Sequence, residues 1–479
     1  MTAQTLIGLA PLVAVAVTVV VVMIVIAIHR SHRVTVILTL AGLSVAFFTL
    51  LGPAISPPRG TAALLMFDDY ARFYTGLMLA ATAAVTLLSF GYVERLNEQR
   101  DEYYLLLLLA ALGSIVLVAA AHFASLFLGL ELLSVSLYAL IAYTRAREHS
   151  IEAAVKYLVL AAVSAAFLLF GMALVYAELG TMEFARMTTM PSGAADRAVA
   201  FVGVGLIVAG FGFKLALVPF HLWTPDVYQG APAPVTAFIA TVSKGAMFAV
   251  LLRYFTIIDL RTHHTVFLIF AILAIASMVV GNLLALLQSN VKRLLAYSSI
   301  AHLGYLIVAF LAGGALAATA ITFYLVAYFV TTIGAFGVVT VLSSADSEAE
   351  SLDEYRGLFA RRPWLSAVFT AMLLSLAGIP LTAGFVGKFY LTVAAGSAAL
   401  WPLLIVMMIT SGIGLFYYLR VVVAMFMESA TDASAGRAPS RVPVVVGLTL
   451  SALTVALVWL GVYPAPIIWL IRVAVTGGG

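Results

Sequence analysis

Apolar residues fall in long runs, over about residues 6–28, 34–54, 70–92, 103–120, 122–143, 152–178, 198–229, 235–252, 265–288, 293–313, 315–342, 363–395, 400–428 and 441–472. A helix of ~20 apolar residues crosses the hydrocarbon layer of a bilayer. Lipid offers no partner to an unpaired backbone group, so each run predicts a membrane helix. The pattern predicts an all-α polytopic membrane protein of about fourteen helices, with both termini on one side. The first run has a bare N-terminus and ends in His-Arg-Ser-His-Arg. It lacks the short apolar core and small-residue cleavage site of a signal peptide, and is read as the first span. The longest polar stretches, 343–362 and 429–441, are too short to be domains.

Composition narrows the class. Of 479 residues, 64% are hydrophobic and 10% charged, against ~45–50% apolar and ~25% charged in a soluble chain. With no cysteine in the sequence, disulfides, thiolate zinc sites, iron–sulfur ligation and a Cys nucleophile are excluded. The net charge of +4 is no sign of nucleic acid, because excess Lys and Arg in a membrane protein mark the cytoplasmic side. One set of alternate loops carries Arg30, Arg33, Arg95, Arg100, Arg145, Arg147, Lys292, Arg293, Arg356, Arg361, Arg362, Arg437 and Arg441. The other set carries only Arg59, Arg72, Arg186, Arg197, Arg253, Arg261 and Arg472. The bias puts the first set in the cytoplasm and both termini outside, in the periplasm of a bacterial cell with an inner membrane.

The lysines depart from this surface pattern. The chain has twenty Arg and five Lys, yet Lys156, Lys214, Lys244 and Lys388 lie within apolar runs and Lys292 starts one. A buried Lys titrates readily, whereas Arg stays charged, so a chain needing protonatable groups in the membrane would place Lys there. Glu131 is the one acid near the middle of a run, and His302 is the matching imidazole. Ionisable residues inside a membrane mark ion and proton paths by default. A single Lys–Glu bridge locking two helices is the bland alternative, but Glu131, Lys214, Lys244, His302 and Lys388 are more costly groups than packing needs. Lys156 follows Glu152 by four residues, in good order for a helical ion pair, and is either an anchor or an entry-path group. Lys292–Arg293 reads as a positive-inside anchor, with Lys292 kept as a further candidate. Arg420 is either a partner facing the bundle or a snorkelling residue.

Two runs contain an interior proline close to a lysine: Lys214 with Pro219, and Pro380 with Lys388. Proline removes a helical hydrogen bond and kinks or breaks the helix. Interrupted spans at corresponding places in two halves point to an ion site in a transporter. Helices 4–8 and 9–13 form two groups of five with helices 7 and 12 broken, and an odd repeat length inverts the second copy. The expected layout within one integral membrane domain is 1–102 for helices 1–3, 103–254 for the first repeat, 265–428 for the second, and 441–479 for helix 14.

Residues 211–248 read FGFKLALVPFHLWTPDVYQGAPAPVTAFIATVSKGAMF. With GLEL at 129–132, KRLLAYSSIAH at 292–302 and AGFVGKFY at 383–390, this resembles the antiporter-like membrane subunits of respiratory complex I, the proton-pumping NADH:quinone oxidoreductase. The likeness spans roughly residues 100–395. Lys388 stands where one branch of the family, subunit M, carries glutamate, and the sequence stops at Gly479 without the long C-terminal arm of subunit L. The resemblance implies fourteen helices in two inverted repeats. It implies a proton relay through Glu131, Lys214, Lys244, His302 and Lys388, with Glu131 as counter-ion to Lys214. It also implies no cofactor in this chain, with NADH, FMN, iron–sulfur clusters and quinone in partner subunits. The expected partners are the other membrane subunits, the hydrophilic redox arm and membrane lipid, with no nucleic acid. The same core would serve a cation/proton antiporter or a membrane-bound hydrogenase, and a non-transporting structural anchor is the third alternative.

Overall fold

The computed structural model describes residues 8–52, 64–96, 99–187, 194–256, 263–344, 347–428 and 442–476, with backbone only at 194–197, 256 and 476. The loop residues Arg59, Arg261, Arg437 and Arg441, the side chain of Arg197 and the stretch 429–441 lie outside the described residues. The elements are α1 (Ala10–Ile28), α2 (His32–Thr49), α3 (Asp69–Val93), α4 (Glu102–Val118), α5 (Phe123–Ile141) and α6 (Glu148–Leu179). Then come α7a (Ala194–Leu215), α7b (Trp223–Gly230) and α8 (Ala233–Phe255), the last with a π-helical turn at Ile239–Ser243. The second half holds α9 (His264–Leu286), α10 (Val291–Ala312), α11 (Gly314–Leu342), α12a (Pro363–Ala377), α12b (Ala383–Ser397) and α13 (Trp401–Phe426). It ends in α14 (Val444–Val462) and α15 (Ala465–Thr476). Among the described residues twelve helices are long and apolar enough to cross a membrane, and Glu102–Val118, Pro363–Ala377 and Ala465–Val475 are shorter apolar helices.

The final run is not the single helix expected over 441–472. Proline cannot donate to the preceding turn and pushes the residue before it out of helical geometry. Tyr463 accordingly ends α14 with ψ 69°, and Pro464 accepts the first bond of α15 from Ile468.

Burial divides the helices by role. Within its apolar window α8 is wholly buried and α10 is 94% buried, whereas α1, α2 and α14 are only 28% buried. The outer helices keep one apolar stripe exposed, as Val155, Val159, Val163 and Phe167 show on α6. Such a stripe suits lipid. The two five-helix groups meet where α7b and α8 lie against α10 and α11. Within each group the first two helices touch backbone to backbone. An added Cβ on Gly113 of α4 would sit 2.9 Å from the Gly129 carbonyl of α5, and one on Gly281 of α9 would sit 2.8 Å from the Ala301 nitrogen of α10. Any larger residue would force these pairs apart.

Helix α7 stops at Leu215 and resumes at Trp223, and α12 stops at Ala377 and resumes at Ala383. Each gap holds a non-glycine residue with positive φ, Ala216 at 59° and Leu381 at 71°. Such a residue costs about 1–3 kcal/mol and persists only where the surroundings hold it. At the first gap, the Val218 amide donates to Ser277 Oγ of α9 at 2.9 Å, and Trp223 Nε1 reaches back to the Phe213 carbonyl at 2.9 Å. At the second, the Gly384 amide donates to Ser375 Oγ at 3.0 Å. Prolines 219 and 380 deny the backbone a donor at both places.

Candidate functional site

The last turn of α7a presents Lys214 to α5. Its ammonium donates to Ser134 Oγ at 2.7 Å and lies 5.4 Å from the centre of the Tyr157 ring on α6. Glu131 is one helical turn before Ser134, so both project from the same side of α5. Among the described residues Lys214 bonds Ser134 and not Glu131, and one carboxylate oxygen of Glu131 is buried without a hydrogen-bond partner. Lys214 thus has a hydroxyl in hand, and one unbonded Glu131 oxygen lies a helical turn from that hydroxyl.

Lys244 follows directly on the π-helical turn of α8 and faces α10. Its ammonium donates to Ser299 Oγ of α10 at 2.8 Å, crossing from one group to the other. Ser299 also receives the Tyr328 hydroxyl of α11 at 2.8 Å, and Tyr228 Oη of α7b lies 3.3 Å from the same oxygen. Between Lys214 and Lys244 stands an aromatic wall. Tyr157 and Trp223 are 4.9 Å apart by ring centres, and the Lys244 ammonium is 5.9 Å from the Trp223 ring and 5.1 Å from that of Tyr228. A buried ammonium facing aromatic rings gains cation–π attraction that partly replaces lost water.

One turn beyond Ser299, the buried His302 continues the line. Its Nδ1 is hydrogen-bonded to the Tyr324 hydroxyl, and Nε2 to the Tyr418 hydroxyl at 3.0 Å, which bonds Ser298 in turn. The Tyr305 ring packs edge-on against His302 with centres 5.6 Å apart, and the Lys388 ammonium lies 5.5 Å from the Tyr305 ring centre. Lys388 itself donates to the Ala377 carbonyl at 2.9 Å and to Ser411 Oγ of α13 at 2.9 Å. That carbonyl ends α12a and has lost its helical donor, so Lys388 both caps the break and ends the line.

Glu131, Lys214, Lys244, His302 and Lys388 therefore fall in order along one seam of polar and aromatic side chains, with Lys214, Lys244 and His302 buried and Glu131 and Lys388 at its partly exposed ends. Two other sequence candidates lie apart from it. Lys156 is exposed on α6 and paired with Glu152 at 2.7 Å and Asp226 at 2.9 Å. Lys292 is not the surface anchor expected; its side chain has no exposed area and lies 3.0 Å from Glu348. Arg420 caps α9, donating to the carbonyls of Leu286 at 2.8 Å and of Gln288. The hydroxyl residues that contact these groups, Ser134, Ser299, Tyr228, Tyr324, Tyr328 and Tyr418, carry no mark in the sequence that sets them apart. Part of a signal exists: Lys292, Ser299 and His302 lie seven and three residues apart on one face of α10. Among the described residues no group of three or more His, Cys, Asp or Glu is placed to hold a metal ion.

Ser299 is the junction of this arrangement, which makes it testable. Ser299→Ala leaves a buried ammonium without its acceptor, a loss of about 1.5–3 kcal/mol for a hydrogen bond to a charged group. Ion flux along the seam is expected to fall several-fold, and Ser299→Thr, which keeps the hydroxyl, is expected to hold most of it. Equal flux in the Ala and wild-type chains, measured in vesicles and normalised to protein, would exclude Ser299 from the path.

Residues 120–414 match the family described as NADH:quinone oxidoreductase/Mrp antiporter, TM. The chain is 51% identical to NADH-quinone oxidoreductase subunit N of Nitrosospira multiformis, over 99% of this chain and 96% of that one. It is 48% identical to the subunit of the same name from Ectopseudomonas mendocina, over 98% and 97% of the two chains. Among solved structures it is similar to a chain of respiratory complex I from Thermus thermophilus with bound aureothin, at 34% identity and TM-score 0.79, covering 96% of this chain and 98% of that one.

Proposed function

The chain belongs to the NADH:quinone oxidoreductase/Mrp antiporter membrane family, and from that premise we propose that it moves protons through the seam Glu131, Lys214, Lys244, His302 and Lys388. It is a proton-translocating membrane subunit of an NADH:quinone oxidoreductase, packed among other membrane subunits and served by a hydrophilic redox arm. Electron transfer from NADH to quinone, with its FMN and iron–sulfur clusters, takes place in partner subunits. The basic ends of the helices face the cytoplasm of a bacterial inner membrane, and both termini face the periplasm. Residues 103–254 and 265–428 are two inverted repeats, a reading supported by the matching breaks in α7 and α12 and by the paired glycine contacts of α4–α5 and α9–α10.

The observation that carries this reading is the bond from Lys244 to Ser299, which joins the two groups of helices by titratable and hydroxyl groups rather than by packing alone. Each group in the line can accept or donate a proton without a large movement of backbone. Lys214 is the switching carrier, Glu131 sets its charge balance, Lys244 and His302 pass the proton along the midplane, and Lys388 releases it or takes up the next.

Glu131 tests the electrostatic part. If its charge tunes Lys214, Glu131→Asp should retain more proton uptake than Glu131→Gln, because only the former keeps a carboxylate near the ammonium. Uptake is measured in inverted vesicles driven by NADH and normalised to assembled complex. Equal rates for the two variants would assign Glu131 to packing and remove the counter-ion from the scheme.

A further inference from the structure

The densest charge cluster outside the seam lies at the basic end, where the α11–α12 connection folds under α7b. Lys292 and Glu348 have no exposed side-chain surface and pair at 3.0 Å. The other carboxylate oxygen of Glu348 accepts the Tyr92 hydroxyl of α3 at 2.7 Å and lies 3.3 Å from Arg147, which precedes α6. One acid thereby joins α3, the α5–α6 connection and α10. Lys292 spends its remaining donors on the carbonyls of Gln229 at 2.9 Å and Ala231 at 2.7 Å. These close α7b, at the helix end whose carbonyls lack intrahelical donors.

A buried ion pair is weak evidence of stabilisation, since apolar replacement of both members is often neutral or better. The value of this pair lies in what it grips. Helix α7b has eight residues and starts after a break, so its own backbone does not fix its far end. It carries Tyr228, which sits 3.3 Å from Ser299, the acceptor of Lys244.

We propose that Glu348 is a positioning residue for proton transfer: through Lys292 it holds the end of α7b at the depth and rotation that set Tyr228 against Ser299 and Lys244. The proposal rests on the relay described above, and its test separates the two. In the intact complex, Glu348→Gln keeps the shape but leaves Lys292 without its charge partner, whereas Glu348→Asp keeps the charge. Val227, buried on α7b, is replaced as Val227→Cys. The chain has no cysteine of its own, so the introduced thiol reports the position of α7b by its reaction with a membrane-permeant maleimide, followed on this chain.

The expected result is a several-fold fall in protons taken up per NADH oxidised for Glu348→Gln, with most of the loss recovered in Glu348→Asp. The thiol should be protected beside native Glu348 and labelled in the Gln background. If the Gln variant does not assemble, the double change Lys292→Met with Glu348→Leu removes both charges and is expected to give the same loss and the same labelling. An unchanged proton yield, or a lower yield with the thiol still protected, overturns the proposal. Labelling does not depend on the relay. Full pumping by a Lys244→Ala variant would refute the relay and still leave the thiol reporting whether Glu348 holds α7b.

Discussion

Alanine in place of Lys214 is expected to lower proton uptake and coupled quinone reduction several-fold while the complex still assembles. The ammonium sits in the last turn of α7a, bonded to Ser134, with an unbonded Glu131 oxygen a turn away on the same helix face. A swing of the side chain between the two changes its electrostatic surroundings sharply. A charge pair at ~4 Å and an effective dielectric of ~20 is worth ~4 kcal/mol, or roughly three orders of magnitude in a protonation equilibrium. No neighbouring group replaces that switch once the amine is gone. Removing the amine leaves the Glu131 carboxylate without its counter-ion, so the fall in uptake has to be separated from any loss of assembled enzyme. The assay is NADH-driven uptake into inverted vesicles with assembled enzyme quantified alongside. Wild-type rates from an assembled variant would take Lys214 out of the path.

Arginine at position 388 is expected to impair pumping nearly as much as alanine. The structure separates the two tasks of Lys388. It caps the end of α12a by donating to the Ala377 carbonyl, and it stands beside Tyr305 at the end of the proposed proton line. A guanidinium can still donate to that carbonyl and to Ser411, so the break stays capped. It cannot release a proton near neutral pH. Lys388→His, which titrates, and Lys388→Glu, which exchanges protons with the opposite charge, should each do less harm than Lys388→Arg. Uptake per assembled complex again decides. Full pumping by the Arg variant would show that position 388 supplies a static field only, and the proton would then have to leave by another residue.

The membrane character of the fold was legible because lipid imposes one rule on every segment: its backbone must bond to itself. Long apolar runs announce that rule directly. The costly titratable groups were legible for the same reason, since a Lys or Glu in an apolar run has no cheap explanation. The hydroxyls between them were not. Ser299 and Tyr328 are ordinary residues of a membrane helix, and only the approach of α8, α10 and α11 makes them neighbours of Lys244. Glu348 was hidden for the opposite reason. It lies in a polar connection, where an acid is expected to meet water. Lys292, at the first turn of its helix, looked like a surface anchor. Both are buried because the connection folds back along the start of α10, with the Val291 amide donating to the Glu350 carbonyl at 2.7 Å and the Leu352 amide to that of Ser289 at 2.9 Å. Such non-local pairing leaves no periodicity to read. The division of the last run at Pro464 was a readable signal that length alone outweighed.

The glycine contacts that seat α4 on α5 and α9 on α10 bear on how fast this subunit can work. Two rods whose backbones touch at such glycines have little room to slide there, because a relative shift drives main chain into main chain. Compliance is therefore concentrated at the joints in α7 and α12 and in the side chains they carry. Rocking of whole domains runs on the microsecond-to-millisecond scale, while rotamer changes and loop motions run on picoseconds to microseconds. On the proposed relay, this frame favours transfer by side chains and short joints over rocking of whole helices, and the chain is built more as a conductor than as a mechanical valve.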